Sequence, residues 1–374
     1  MAIGGRILSL SPTPILFLLP DLGGGGAQRV MLQIAGGIDR VRFAPRLMVL
    51  GGSQDFAPDV PSYLELENGG ARRLRDGIPW LVRRIRAIEP AACISVMGYL
   101  NLALLGLKPL LPKKTRLIVR EANALAATIN ALPHAVPGRA LYRALYPKAD
   151  AIICPTREIG DELSGVTPRM AARVSIIPNP VDVDALRARA TPPKRHPGAG
   201  LRFVSAGRLT EQKGYDRLVG LLTEFPAGSH VMVFGDGADR ARLEQQAQAL
   251  GVQDRVTFAT FTRDLPAWIA GADSFLLPSR WEGLPNVVLE SLAIGTPAII
   301  SDQVAVRELA QSAAPGAIEI CKVGPDFVAA AAHVSVGDRL ELRPSLLPAA
   351  YIVENVIQSW DRLLSDLLAS ASLQ

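Results

Sequence analysis

The rhythm of the chain constrains its fold more than any other feature. Short β-branched apolar runs alternate with helix-length segments, and the alternation starts twice. Such alternation builds parallel sheets whose strands are joined by crossover helices. In the first half, strands are expected at 14–19, 46–50, 92–96, 116–119, 151–154 and 174–177, and helices at 28–38, 79–88, 100–107, 137–145 and 157–163. Asn179-Pro180, Thr191-Pro192-Pro193 and 194–200 then read as connection. The second half places strands at 201–206, 230–234, 255–259, 274–277, 298–301 and 318–321. Its helices fall at 215–223, 238–250, 265–270, 286–294, 304–311 and 349–368.

The expected fold class is therefore α/β, with two doubly wound domains facing each other across a cleft. The expected division is a first domain at 1–182, a linker at 183–200, a second domain at 201–348 and a closing helix at 349–374. A length of 374 residues, at roughly 150 per domain, agrees. Ligands of such sheets bind at the carboxyl ends of the strands, so the cleft is the expected site. Met1–Pro20 reads as a buried first strand, because Pro12, Pro14 and Pro20 interrupt its apolar stretch and no small-residue cleavage site follows. The uncharged run 90–107 holds Pro90, Gly98, Asn101 and Gly106, and reads as strand, turn and helix, not as a membrane span.

Composition excludes several classes. Cys93, Cys154 and Cys321 lie far apart, which excludes a disulfide framework or a Cys-rich zinc site. His134, His196, His230 and His333 show no ligand spacing, so no His-based metal centre is implied; separately, no bound cofactor is expected. The net charge of +5 is uneven. Residues 1–180 hold 22 Lys+Arg against 13 Asp+Glu; the remainder holds 18 against 22. Much of the excess is Arg72, Arg73, Arg75, Arg83, Arg84 and Arg86, with Lys108, Lys113, Lys114 and Arg116. Two readings remain open for it: a solvated face, or a surface for an anionic membrane or acceptor. Without interleaved aromatics or a known binding module, nucleic acid is not expected.

Four constellations carry chemistry. Leu22-Gly23-Gly24-Gly25-Gly26-Ala27-Gln28-Arg29 joins a strand to a helix, where glycine amides can approach an anion. It fits neither G-x-G-x-x-G nor a GK[ST] phosphate loop; the plainer reading is a flexible turn. Gly207-Arg208-Leu209 and Gln212-Lys213-Gly214 put two cations on one loop at a strand's carboxyl end, suited to a diphosphate. In the segment from Pro278 to Glu290, Pro285 is expected at the first helical position. That leaves Glu282 in the loop ahead and Glu290 inside the helix, with the amides of Gly283, Leu284 and Asn286 at its start. Both carboxylates suit sugar hydroxyls, or merely a helix dipole and a surface. Arg120-Glu121-Ala122-Asn123 follows a strand, facing the cleft or forming a solvated turn.

Taken together, these motifs resemble the retaining glycosyltransferases of family four, with two Rossmann-like domains in the glycosyltransferase-B fold. Ile177-Pro178-Asn179-Pro180-Val181-Asp182, Gly235-Asp236-Gly237 and a closing helix with Trp360 extend the likeness over most of the chain. The resemblance implies catalytic roles for Arg208, Lys213 and Glu282. The two cations would hold and stabilise the departing nucleotide diphosphate without a metal. Glu282 and the amides after it would contact the donor sugar, Glu290 the ribose, and Gly25 and Gly26 would approach the donor from the first domain. The final helix would cross back to that domain. Many relatives carry a first-domain histidine near the sugar; here Arg120, Glu121 and Asn123 stand instead, with His134 nearby. Many also have glycine where Thr260 stands. The variant resembles the branch that transfers N-acetylhexosamines from UDP. The expected partners are a nucleotide-sugar co-substrate and a glycan or lipid-linked acceptor, at the cytoplasmic face of a membrane. A sugar-nucleotide epimerase of the same fold and a non-catalytic binding protein are the alternatives.

Overall fold

The computed structural model describes residues 11–23, 25–51, 60–130, 137–336 and 340–370. The chain divides into two units. One comprises 1–154, 160–177 and 357–374; the other comprises 155–159 and 178–356.

Unit 1 is built on a seven-stranded sheet. Its strands are β1 (Thr13–Leu19), β2 (Phe43–Gly51), β3 (Glu65–Ala71), β4 (Ala92–Val96), β5 (Arg116–Arg120), β6 (Ala151–Cys154) and β7 (Val174–Ile176). They lie in the order β3-β2-β1-β4-β5-β6-β7, and every pairing is parallel. Ile15 through Leu19 are fully buried, because helices cover both faces of such a sheet. β3 is not among the expected strands. Its sequence, ELENGGA, has no β-branched residue, and it lies at an edge and largely exposed. From Ile357 onward the closing helix Val353–Ala369 belongs to this unit; Trp360 and Leu364 are fully buried. Asp361 accepts the Asp39 amide at 3.1 Å.

Unit 2 carries a six-stranded parallel sheet of β8 (Arg202–Ala206), β9 (His230–Phe234), β10 (Val256–Ala259), β11 (Ser274–Leu277), β12 (Ala298–Ser301) and β13 (Ile318–Cys321). The order is β10-β9-β8-β11-β12-β13. Alternate side chains feed separate cores. Val204, Phe275 and Ile300 pack on one face, with Val288, Leu289 and Leu292 of the helix Asn286–Ile294. Phe203, Val231, Leu276 and Ile299 pack on the other.

The boundary falls between Ile177 and Pro178. Part of the expected linker is the helix Val183–Arg189, started by Asp182, whose Oδ1 accepts the Ala185 amide at 2.9 Å. Its Leu186 joins the unit 2 core with Val181 and Ala190. Flanking prolines had marked this stretch as connection. A further helix, Pro325–Ala332, lies where none is expected. Pro285 is the residue before the helix Asn286–Ile294 rather than its first. Pro79 lies inside the helix Leu74–Ile88, not at its start.

Candidate functional site

In each sheet the strand order reverses at one point, which is where open α/β sheets bind ligands. In unit 2 the reversal falls between β8 and β11. The loop after β8 carries Arg208 and Lys213, and the loop after β11 carries Glu282. The topology therefore brings together groups 69 residues apart: Lys213 Nζ donates to Glu282 Oε1 at 2.6 Å. The two side chains are 15% and 7% exposed. Ser279 Oγ donates to the same oxygen at 2.6 Å. The Ser279 carbonyl is held in turn by Ser301 Oγ at 2.6 Å and Gln303 Nε2 at 2.7 Å.

Two glycines make these loops possible. Gly214 has φ +66°, and a Cβ there would collide with the Pro278 carbonyl oxygen, so the Lys213 turn lies directly on the end of β11. A Cβ on Gly235 would collide with the Gly207 carbonyl oxygen. The Gly235-Asp236-Gly237 loop can thus underlie the Arg208 loop, joined by Gly207 N to Phe234 O and Leu209 N to Asp236 O, each 2.9 Å. Arg208 itself is exposed and forms no ion pair with a described residue.

The start of the helix Asn286–Ile294 completes the group. Gly283 is buried. Leu284 packs its side chain into the core, so it presents only backbone; its carbonyl accepts from Asn179 Nδ2 at 3.2 Å. The same Nδ2 donates to Asn286 Oδ1 at 2.5 Å. Glu290, one turn on, is half-buried. No side-chain role was read from the sequence for Asn179, Ser279, Ser301 or Gln303. The Asn179-Pro180 pair was visible there as a chain connection, but nothing marked its side chain as bracing this helix.

In unit 1 the reversal falls between β1 and β4, and the glycine loop follows β1. Gly25 precedes the helix Gly26–Gly37 and has no side-chain cap. Asp21 braces this loop: its Oδ1 accepts the Gly23 amide at 2.8 Å and Gln28 Nε2 at 3.1 Å. Gly24 and His134 lie outside the described residues.

Arg120 and Glu121 depart from expectation. Both are buried, so neither offers its side chain to a sugar, whereas Asn123 is exposed. Glu121 Oε1 accepts from Asn101 Nδ2 at 3.1 Å, from Tyr142 Oη at 3.4 Å and from Tyr146 Oη. Ser95 Oγ donates to Asn101 Oδ1 at 2.7 Å behind them. Oε2 of Glu121 is buried without a hydrogen-bond partner among the described residues. Burial pushes this carboxyl up to about 7, against the opposing pull of Asn101, Tyr142 and Arg120. Burial also lowers Arg120, to about 10. The strand end thus holds a buried polar cluster rather than a sugar contact.

Comparison with known proteins agrees with the two-sheet architecture. Two family models match in tandem: Glycosyltransferase Family 4 over 24–185 and Glycosyl transferases group 1 over 188–334. A lipopolysaccharide core biosynthesis glycosyltransferase, LpsE of Rhizobium meliloti, is 32% identical over 154 residues, 41% of this chain and 44% of that one. An uncharacterized glycosyltransferase of Methanocaldococcus jannaschii is 28% identical over 169 residues, 43% and 42% of the two chains. The matches thus span less than half the length of these relatives. Anabaena HepE, solved with UDP and glucose, superposes with a TM-score of 0.70 at 16% identity over 96% of this chain and 100% of its own. WaaG, a glycosyltransferase involved in lipopolysaccharide biosynthesis, superposes at 0.62 with 16% identity over 96% and 93%. The architecture is that of the glycosyltransferase-B class. The chain belongs to the group 1, family 4 glycosyltransferases.

Proposed function

We propose that the protein is a retaining glycosyltransferase. It moves an N-acetylhexosamine from its UDP donor to a glycan or lipid-linked glycan in surface polysaccharide synthesis. The observation that carries this reading is the Lys213–Glu282 pair at the reversal point of the unit 2 sheet, beside the exposed Arg208. Arg208 and Lys213 stabilise the charge that grows on the departing diphosphate, in the place a metal would otherwise take. Glu282 and the amides from Gly283 to Asn286 hold the donor sugar, and Glu290 the ribose hydroxyls. The acceptor oxygen bonds to the anomeric carbon on the face from which the diphosphate leaves. Its proton passes to the departing phosphate oxygen, so no protein base is needed. Relatives named for lipopolysaccharide core biosynthesis and a fold neighbour solved with UDP support this choice. The epimerase alternative gains no support, because His196 and His230 are buried at Trp268 and Thr257.

Thermal unfolding with UDP, GDP, ADP, UMP and NAD, all in EDTA, tests the donor assignment. A ligand at 100 times its dissociation constant adds about 2.7 kcal/mol. A shift with UDP and none with NAD is expected; no shift with any diphosphate would overturn it. Proton NMR of the new glycosidic bond tests retention.

We further propose that unit 1 meets an anionic membrane face. Arg84 is committed to Glu67, and Lys108 and Arg116 to Asp150. Arg72, Arg73, Arg83, Lys113 and Lys114 remain exposed. No helix among the described residues is long and apolar enough to cross a membrane. Anionic liposomes should retain the protein at low salt and release it at high salt; equal retention by neutral liposomes would refute the idea.

A further inference from the structure

The loops carrying Lys213 and Glu282 are fastened together by contacts that use neither functional side chain. Arg280, two residues before Glu282, reaches the helix Tyr215–Leu221 that follows Lys213. Its Nη1 and Nη2 donate to Asp216 Oδ1 and Oδ2, each at 2.7 Å. Nη1 also donates to the Glu211 carbonyl at 2.9 Å. The Arg280 amide donates to the Gln212 carbonyl at 2.7 Å, and Gln212 Nε2 donates to the Trp281 carbonyl at 3.2 Å. Arg280 and Asp216 are 29% and 21% exposed, so the pair is largely shielded. The Arg280 hydrogen bond holds the Asp216 carboxyl below its usual range.

We propose that Arg280 and Asp216 are positioning residues for the nucleotide-sugar donor. This rests on the reading of Lys213 and Glu282 as donor groups. In the free protein those two bond to each other directly. A diphosphate that draws Lys213 Nζ to itself competes with that bond, at the moment when cation and carboxylate must stay in register. The Arg280–Asp216 pair is a tie between the same loops that a bound donor leaves intact, since neither residue belongs to the donor set. Two parallel guanidinium–carboxylate bonds fix orientation as well as distance. Lysine, a point charge on a flexible stem, cannot reproduce both. A misplacement of about 1 Å at such a site costs on the order of 100-fold in rate.

The test compares wild type with Arg280→Ala, Asp216→Asn, the double variant and Arg280→Lys. Calorimetry gives the affinity for UDP, GDP and ADP; donor and acceptor KM are read separately from diphosphate release. Asp216→Asn preserves shape, so it serves even where Arg280→Ala folds poorly. The expected result is a 10- to 100-fold fall in kcat/KM for the donor in both single variants, with acceptor KM unmoved. The double variant should lose no more than either single, and Arg280→Lys should recover part of the loss. Wild-type donor kinetics in both singles, losses that multiply in the double, or an equal rise in acceptor KM would each overturn the inference. Lys213→Ala separates the two levels. If it too leaves diphosphate affinity and turnover unchanged, the donor reading itself fails. If it abolishes them while the Arg280 and Asp216 variants do not, only the positioning role fails.

Discussion

Lys213 and Glu282 meet through a single 2.6 Å contact between loops that follow two neighbouring strands, and Ser279 donates to the same carboxylate oxygen. The cation is therefore partly neutralised until a ligand competes for it. Glu282→Gln should free Lys213: UDP affinity stays level or rises, while turnover falls at least 100-fold. Lys213→Ala should weaken UDP binding and turnover together. Removing one partner of a shielded pair costs up to about 3 kcal/mol, so both variants should melt a few degrees lower. Calorimetry and diphosphate release check the contrast; equal loss of UDP affinity in both variants would contradict it.

Arg208 offers a cleaner separation of function from stability. It is exposed and forms no ion pair with a described residue. Arg208→Ala should leave unfolding within about 0.5 kcal/mol of wild type. Turnover should fall about 100- to 1,000-fold, as when one preorganised charge-stabilising donor is lost. Normal turnover at normal stability would remove Arg208 from the site.

His196 predicts loss of stability in acid. Its Nε2 donates to the Trp268 carbonyl at 2.7 Å, and its Nδ1 is buried without a hydrogen-bond partner among the described residues. Burial holds the ring down at about 4, against 6.5 for a free imidazole. A depressed histidine favours the folded state only while neutral. Its contribution is complete above pH 6.5 and lost as pH falls towards 4, by about 3 kcal/mol. Denaturant titrations between pH 7 and pH 4 should show a shallower decline for His196→Gln than for wild type; parallel curves would contradict this.

Glu121 acts in the opposite direction. Its folded carboxyl sits at about 7 rather than 4.5, because it is buried. The folded state holds the proton more tightly, so the residue costs stability as pH rises from 4.5 through 7. Glu121→Gln keeps an acceptor for Asn101 and Tyr146. It should match wild type at pH 5 and melt higher at pH 8. Equal melting temperatures at pH 8 would mean that the carboxylate is accommodated as an ion.

Both sheets were legible in the alternation of β-branched runs, because parallel strands buried on both faces must be apolar. β3 was not, since an exposed edge strand escapes that demand, and Glu65 through Ala71 supply none of its residues. The helix Val183–Arg189 was masked by prolines on both sides, although Asp182 is a capping residue in plain view. The placement of Arg208, Lys213 and Glu282 on loops at strand ends was legible in the sequence. Their mutual contacts were not, because strand order rather than spacing brings residues 69 apart within reach. Arg120 and Glu121 were misread for a related reason. A charged pair at a strand end looks solvated until Tyr142 and Tyr146, from further along the chain, close over it.

The placement of these groups on β8 and β11 also sets a schedule. The chain is synthesised at about 5–20 residues per second, so Glu282 leaves the ribosome roughly 3–14 s after Lys213. For those seconds the nascent second unit carries Arg208 and Lys213 without the acid that will partner the lysine. Arg280, two residues ahead of that acid, brings its tie to Asp216 before the acid itself arrives.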